Sequence, residues 1–272
     1  MTKNLDPEGL SSIVDNYDLF YIDLWGVVHN GVELHDNAII ALKKILELDK
    51  KFVLLTNAPR PIDTVKVILK KMGMDENLRS HVFTSGEASL SYLGKEHKFQ
   101  KFYHVGPPRD FDLFRDFKNY KSNKIDDCEY LLCTGLFDEH DKDLNFYKKL
   151  LEGCISKKMI CTNPDLIVDK GNRRQLCAGS VAMVFEKMGG EVVYFGKPYP
   201  EVYNQSTDNK NKKILSIGDN LNTDIKGANL LNYDSLLISN GVHKNEIKDN
   251  GIEKVSKQYE SIVNFMQSDL TW

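Results

Sequence analysis

The sequence predicts an α/β protein, a parallel sheet flanked by helices, with a second α/β domain inserted into the chain. Three observations carry this. Short apolar runs rich in β-branched and aromatic residues end abruptly in polar residues. Segments with apolar residues three and four apart alternate with those runs. The long middle stretch, residues 87–191, has strand and helix patterns of its own. Runs of the first kind read as strands buried on both faces. Their alternation with helices selects a parallel sheet with right-handed crossovers.

In chain order, residues 19–22 run into Asp23, and residues 52–55 run into Thr56 and Asn57. Residues 192–195 lead to Gly196, Lys197 and Pro198; residues 214–217 lead to Gly218 and Asp219; residues 236–238 lead to Ser239, Asn240 and Gly241. Asp36 is placed to cap a helix with Ile39, Leu42, Ile45 and Leu46 on one face. Residues 61–72 repeat the pattern through Val65, Ile68, Leu69 and Met72, with Gly73 as the stop. Residues 223–231 form a third, shorter helix. In such sheets ligands bind outside the carboxyl ends of the strands, where all five polar tails fall.

The middle stretch supplies strands at residues 102–105, 130–133 and 159–162. Its helices are residues 141–151 and 180–188, the latter stopped by Gly189. The expected division is residues 1–86 and 192–272 for the core and 87–191 for the inserted domain, lying above the strand ends as a lid.

Composition narrows the function. Hydrophobic residues at 41% and charged residues at 28% suit a globular chain with a real core. The net charge of −3, with lysines scattered along the chain, argues against a nucleic-acid partner. No apolar leader and no membrane-length run is visible, so a cytoplasmic protein with no membrane partner is expected. A homodimer is compatible with the sequence. The cysteines are odd in number, five, with no Cys-x-x-Cys pair, and read as small buried hydrophobes rather than a zinc or redox site.

The polar tails assemble a chemistry. A phosphate dianion needs its charge offset, its oxygens held and an in-line nucleophile. A carboxylate can be that nucleophile, but only beside a divalent cation, and Mg²⁺ takes a few carboxylates plus water and substrate oxygens. Asp23, Asp219 and Asp224 supply carboxylates. Thr56 and Asn57 supply a hydroxyl, an amide and backbone N–H groups, and Lys197 a positive charge. Each alone is weak, since strand-end Asp, Thr-Asn and Gly-Lys-Pro are common turn residues. The weight lies in their occurring in order, each after an apolar run.

That order, Asp-x-x-Gly-Val at Asp23, Thr56-Asn57, Gly196-Lys197-Pro198 and the string from Gly218 to Asp224, resembles the haloacid dehalogenase-like hydrolases. The insertion between Asn57 and Lys197, with Thr162-Asn163-Pro164-Asp165 inside it, is similar to the class IIA members, whose cap sits there. The resemblance covers nearly the whole chain. It implies a Rossmann-like core, a mobile α/β cap, Mg²⁺, and phosphatase chemistry on a small phosphorylated metabolite. It makes Asp23 the nucleophile and a metal ligand, with Thr56 and Asn57 holding the phosphate and Lys197 stabilising it. Asp219, Asp224 and the backbone carbonyl of Trp25 complete the metal site. Asn30-Gly31 matches the flap after the first strand.

Trp25 departs from the pattern. Phosphatases of the family carry an Asp there, which protonates the leaving alkoxide and then activates water. Such help is typically worth 10²–10⁴-fold, so ordinary esters should turn over poorly. Three readings stay open: activated substrates, a substitute group such as His29, or binding without catalysis. Trp25, His29, Asn163 and Asp165 are the candidates for facing the substrate. Arg173-Arg174 reads as an anion contact or, more simply, a solvated pair.

Overall fold

The computed structural model describes residues 2–170 and 173–272. Its strands, in chain order, are β1 (Lys3–Asn4), β2 (Leu19–Ile22), β3 (Lys51–Thr56), β4 (Val82–Thr84), β5 (Phe102–Val105), β6 (Lys121–Ser122), β7 (Tyr130–Cys133), β8 (Lys158–Cys161), β9 (Ile167–Lys170), β10 (Arg173–Leu176), β11 (Val192–Tyr194), β12 (Ile214–Gly218), β13 (Asp234–Ile238) and β14 (Phe265–Gln267). The core is a seven-stranded parallel sheet in the order β1-β14-β13-β12-β2-β3-β4. A second parallel sheet runs β11-β8-β7-β5-β6, and β9 and β10 form an antiparallel hairpin. The fold is therefore α/β with a Rossmann-like core.

All four residues of β2 are buried, as expected for a central parallel strand covered on both faces. One face packs Phe20, Ile22, Leu54 and Ile217 against Ala41, Leu42 and Ile45 of the helix Asp36–Glu47 and against Val65 and Leu69 of the helix Ile62–Lys71. Asp36 is the first helical residue and makes no capping bond; His35 precedes it at the cap. The other face packs Leu19, Tyr21 and Val53 against Ala88, Leu93, Val202 and Tyr203. That cluster continues into Phe102, Phe114, Tyr130 and Ile160 of the second unit. Each such side chain contributes about 1.5–3 kcal/mol when buried, so the joint between the sheets is a packed core and not a loose linker.

Two elements depart from the expected division. The strand at residues 192–194 was assigned to the core, but it pairs with β8 at the edge of the second sheet. The helix Ser85–Glu96, assigned to the insertion from residue 87, packs Ala88 and Leu93 on the core strands, and the Ser85 hydroxyl donates to the Thr162 carbonyl (2.6 Å). Neither apolar run carries a signal for which of two parallel sheets it will join. The short edge strands β1 and β14 also escaped prediction; β1 pairs with β14 and brings the two ends of the described chain together. No helix among the described residues is long and apolar enough to cross a membrane.

Candidate active site

The chain leaves β2 for β3 on one side and returns to β12 on the other. The gap outside the carboxyl ends of β2 and β12 is thus a topological switch point, where open α/β sheets take ligands. Asp23 follows β2 directly and its N–H donates to the Ile217 carbonyl (2.9 Å). Asp219 follows β12. Asp224 returns to the same place because residues Leu221–Ile225 form a π-helical turn, a feature frequent at functional sites. Its Oδ2 accepts the Asn220 N–H at 3.2 Å. One carboxylate oxygen from each of Asp23, Asp219 and Asp224 lies within 4.8 Å of the others.

Close packing holds the cluster. Gly26 has φ +86°, and a Cβ there would collide with the Asp219 carboxylate; one at Gly218 would collide with Asp224. Val242 N–H donates to Asp219 Oδ2 (3.0 Å). His243, the next residue, accepts the Leu221 N–H on Nε2 (3.2 Å), while its Nδ1 contacts Glu246 (2.7 Å). Sequence reading missed Val242, His243 and Glu246. They lie outside every motif, and only the fold brings their loop onto the Asp219–Asp224 turn.

Lys197 reaches the cluster from the loop after β11. Its buried Nζ contacts Asp23 Oδ1 at 2.6 Å and Asp224 Oδ1 at 2.7 Å. The Asn57 side chain clamps the Lys197 backbone, accepting from its N–H (2.7 Å) and donating to its carbonyl (3.1 Å). The Lys197–Pro198 peptide is cis. Asn57 Nδ2 also donates to Asp165 Oδ1 (3.1 Å). With its amide so committed, what Asn57 retains for an anion is backbone. Thr56, one residue earlier, accepts the Ala58 N–H on its hydroxyl oxygen (3.3 Å) and keeps its own proton to donate.

Three carboxylates share one ammonium in a buried site, so ionising all three would leave two negative charges uncompensated. Burial, opposed by Lys197 and reinforced by Asp224, pushes the Asp23 carboxyl up to about 8. Burial and the neighbouring Asp23 push Asp219 well above the usual carboxylate range. Burial alone would lower Lys197, but Asp224, Asp23 and Asp165 outweigh it and hold the ammonium charged. An all-oxygen donor set of three buried carboxylates, with one ammonium among them, fits a hard divalent cation. Asp23, Asp219 and Asp224 would hold it.

The cluster opens into a cavity of about 570 Å³ lined also by Trp25, His29, Thr56, Asn163 and Asp165. Trp25 Nε1–H donates to the Asp169 carbonyl on β9 (2.6 Å), and its ring meets His29 edge-on, centroids 5.2 Å apart. His29 is buried; its Nδ1 accepts the Gly31 N–H (3.0 Å), and burial lowers its pKa to about 4. Asn163 Oδ1 accepts the Asp165 N–H (3.0 Å). Arg174 pairs with Asp169 through two 2.9 Å bonds and donates to the Val242 carbonyl (2.9 Å), while Arg173 is exposed. Arg174 is thus a strut between the β9–β10 hairpin and the core.

A parallel α/β core with carboxylates and a buried lysine at its switch point, beneath a second α/β sheet, defines a capped protein of Rossmann-like fold with an acidic, phosphate-suited site. Comparison with known proteins makes this particular. The haloacid dehalogenase-like hydrolase family model matches residues 20–118, and a second HAD-hydrolase-like model matches residues 194–262. A haloacid dehalogenase-like hydrolase from Brucella suis 1330 is 32% identical, over 87% of this chain and 94% of its own, with a TM-score of 0.79. The p-nitrophenyl phosphatase of Archaeoglobus fulgidus is 19% identical over 93% of this chain and 97% of its own, with a TM-score of 0.71. The 5'-nucleotidase YutF of Bacillus subtilis (strain 168) is 23% identical over 92% of this chain and 98% of its own length. The chain belongs to the haloacid dehalogenase-like hydrolases, in the class IIA manner its motifs resemble.

Proposed function

We propose that the protein is a Mg²⁺-dependent phosphatase that hydrolyses a small phosphorylated metabolite in the cytoplasm through an aspartyl-phosphate on Asp23. The observation that carries this reading is the Lys197 ammonium set between Asp23 and Asp224, within a cluster of three buried carboxylates. Phosphatase and nucleotidase relatives support an ester of phosphate as substrate.

Asp23, Asp219, Asp224 and the Trp25 carbonyl would hold Mg²⁺, which would offset the charge of the phosphate dianion. The turn after β2 spends its hydrogen bonds on the Leu24 and His29 carbonyls, not on that of Trp25. Asp23, fixed at the end of β2, attacks phosphorus along the line opposite the leaving oxygen. Thr56 and the backbone beyond it hold the transferring group, and Lys197 offsets charge developing on its oxygens. The second sheet, packed over the site, excludes bulk water.

Phosphate release from a panel of monoesters, with Mg²⁺ and with EDTA, tests the reading. Turnover should require the metal and vanish in Asp23→Asn. A second reading, a phosphate-ligand binding protein, is favoured by Trp25 alone. Ligand-dependent thermal stabilisation with no phosphate released across the panel would select it.

A further inference from the structure

Position 25 cannot move a proton. The Trp25 Nε1–H is committed to the Asp169 carbonyl. His29 is not placed to replace it: its Nδ1 accepts the Gly31 N–H and its buried ring lies edge-on to Trp25. The remaining carboxylates around the cavity sort themselves. Asp23, Asp219 and Asp224 form the cluster. Asp110 is paired with Arg60 (3.1 Å) and Asp138 with Arg109; Asp141 is exposed. Asp165 is left.

We propose that Asp165 is the proton-transfer residue of this site, acting on the leaving oxygen and then on the attacking water. The inference rests on the phosphatase reading above. Its ground is position. Asp165 Oδ1 accepts from Asn57 Nδ2, and the same amide grips the backbone of Lys197, whose ammonium touches Asp23. Asp165 is therefore one side chain from the phosphate cradle. In-line displacement sends the leaving oxygen away from Asp23, which means away from the core sheet edge and toward the second sheet. Asp165 comes from that side, on the loop after β8.

The loop is fixed. Asn163 Oδ1 holds the Asp165 N–H (3.0 Å), the Gly179 N–H donates to the Asp165 carbonyl (3.1 Å), and the Ser180 hydroxyl donates to the Leu166 carbonyl (2.6 Å). Asn57 engages one carboxylate oxygen of the two. Burial, opposed by Lys197, raises the Asp165 carboxyl to about 6, close to the pH at which an acid–base catalyst works best.

The steps balance. As an Asp23 oxygen bonds to phosphorus, the bond from phosphorus to the leaving oxygen breaks, and the proton of the Asp165 carboxyl passes to that oxygen, freeing the alcohol. The Asp165 carboxylate then takes a proton from water as the water oxygen bonds to phosphorus and the Asp23–phosphorus bond breaks. Phosphate leaves, and both carboxyl groups return to their starting states.

The test is a series of phosphate monoesters, from p-nitrophenyl phosphate to simple alkyl phosphates, assayed with Mg²⁺ on wild type, Asp165→Asn and Asp165→Glu, each checked for its thermal midpoint. The Asn variant should lose about 10²-fold or more in kcat/KM on alkyl esters and less than about 10-fold on p-nitrophenyl phosphate. Glu, which keeps a carboxyl, should recover part of the alkyl-ester rate. A loss uniform across the series, no loss, or equal rates in Asn and Glu overturns the proposal. A wild type inert on every ester, and no different from Asp23→Asn, instead overturns the phosphatase reading.

Discussion

Lys197 and Asp23 stand 174 positions apart in the chain and 2.6 Å apart in space, and the same ammonium reaches Asp224 at 2.7 Å. One cation thereby ties the insertion's exit loop to the end of β2 and to the turn after β12.

Removing that cation should cost stability. Lys197→Met leaves Asp23 and Asp224 buried without a partner, an event typically costing about 3–5 kcal/mol. Urea unfolding in EDTA should show the loss, and millimolar Mg²⁺ should recover part of it. Equal midpoints for variant and wild type in EDTA would mean the ion pair holds nothing.

Asp23→Asn should separate chemistry from folding. Turnover should fall by roughly 10⁴-fold or more, as for loss of a nucleophile. The metal-free stability should not fall, because burial already disfavours the charged Asp23 carboxylate and Lys197 keeps Asp224. A variant with full activity would remove Asp23 as nucleophile.

Trp25 clasps the β9–β10 hairpin. Trp25→Phe keeps the ring but deletes the Nε1 bond to Asp169, worth about 0.5–1.5 kcal/mol. Amide hydrogen exchange at residues 167–170 and 173–176 should quicken, while β2 and β12 stay protected. Unchanged exchange in the hairpin would show that Arg174 alone suffices to dock it.

Two buried histidines draw stability down on the acid side. Burial lowers His104 to about 3 and His29 to about 4. Below pH 6.5 the unfolded chain binds protons that the folded chain refuses, so stability falls as pH drops through that range and is flat above it with respect to these groups. At ~1.4 kcal/mol per pKa unit the full loss is a few kcal/mol for His104. His104→Asn should raise the urea midpoint relative to wild type more at pH 5.5 than at pH 7. An equal difference at the two pH values would exclude His104 as a contributor.

The candidate carboxylates Asp23 and Asp219 were legible because they sit at strand ends. A short apolar run followed by Asp23, or by Gly218-Asp219, states both the strand and the carboxylate at its tip. The ordering of such runs along the chain states that they share one edge. The helix Asp36–Glu47 was legible from the spacing of Leu42 and Ile45. The strand at residues 192–194 was misplaced because an apolar run reads the same in either parallel sheet. Its pairing with β8 depends on packing that lies far along the chain. Asn57 was legible as a site residue but not in its duty: it clamps Lys197 with its amide.

What the sequence determined by itself is the kind of chemistry: carboxylates, a lysine and a Thr-Asn pair at the ends of parallel strands, with tryptophan where a proton-transfer group is expected. Local patterning suffices for that, because burial follows from side-chain periodicity and parallel direction from the alternation of strands with helices. Only the tertiary structure decided what Trp25 and Asp165 do with their polar atoms. Trp25 turns its N–H to the Asp169 carbonyl, and Asp165 turns its carboxylate to Asn57. Each contact spans more than a hundred residues of chain, and such a bond exists only once two sheets have packed and fixed the distance between them.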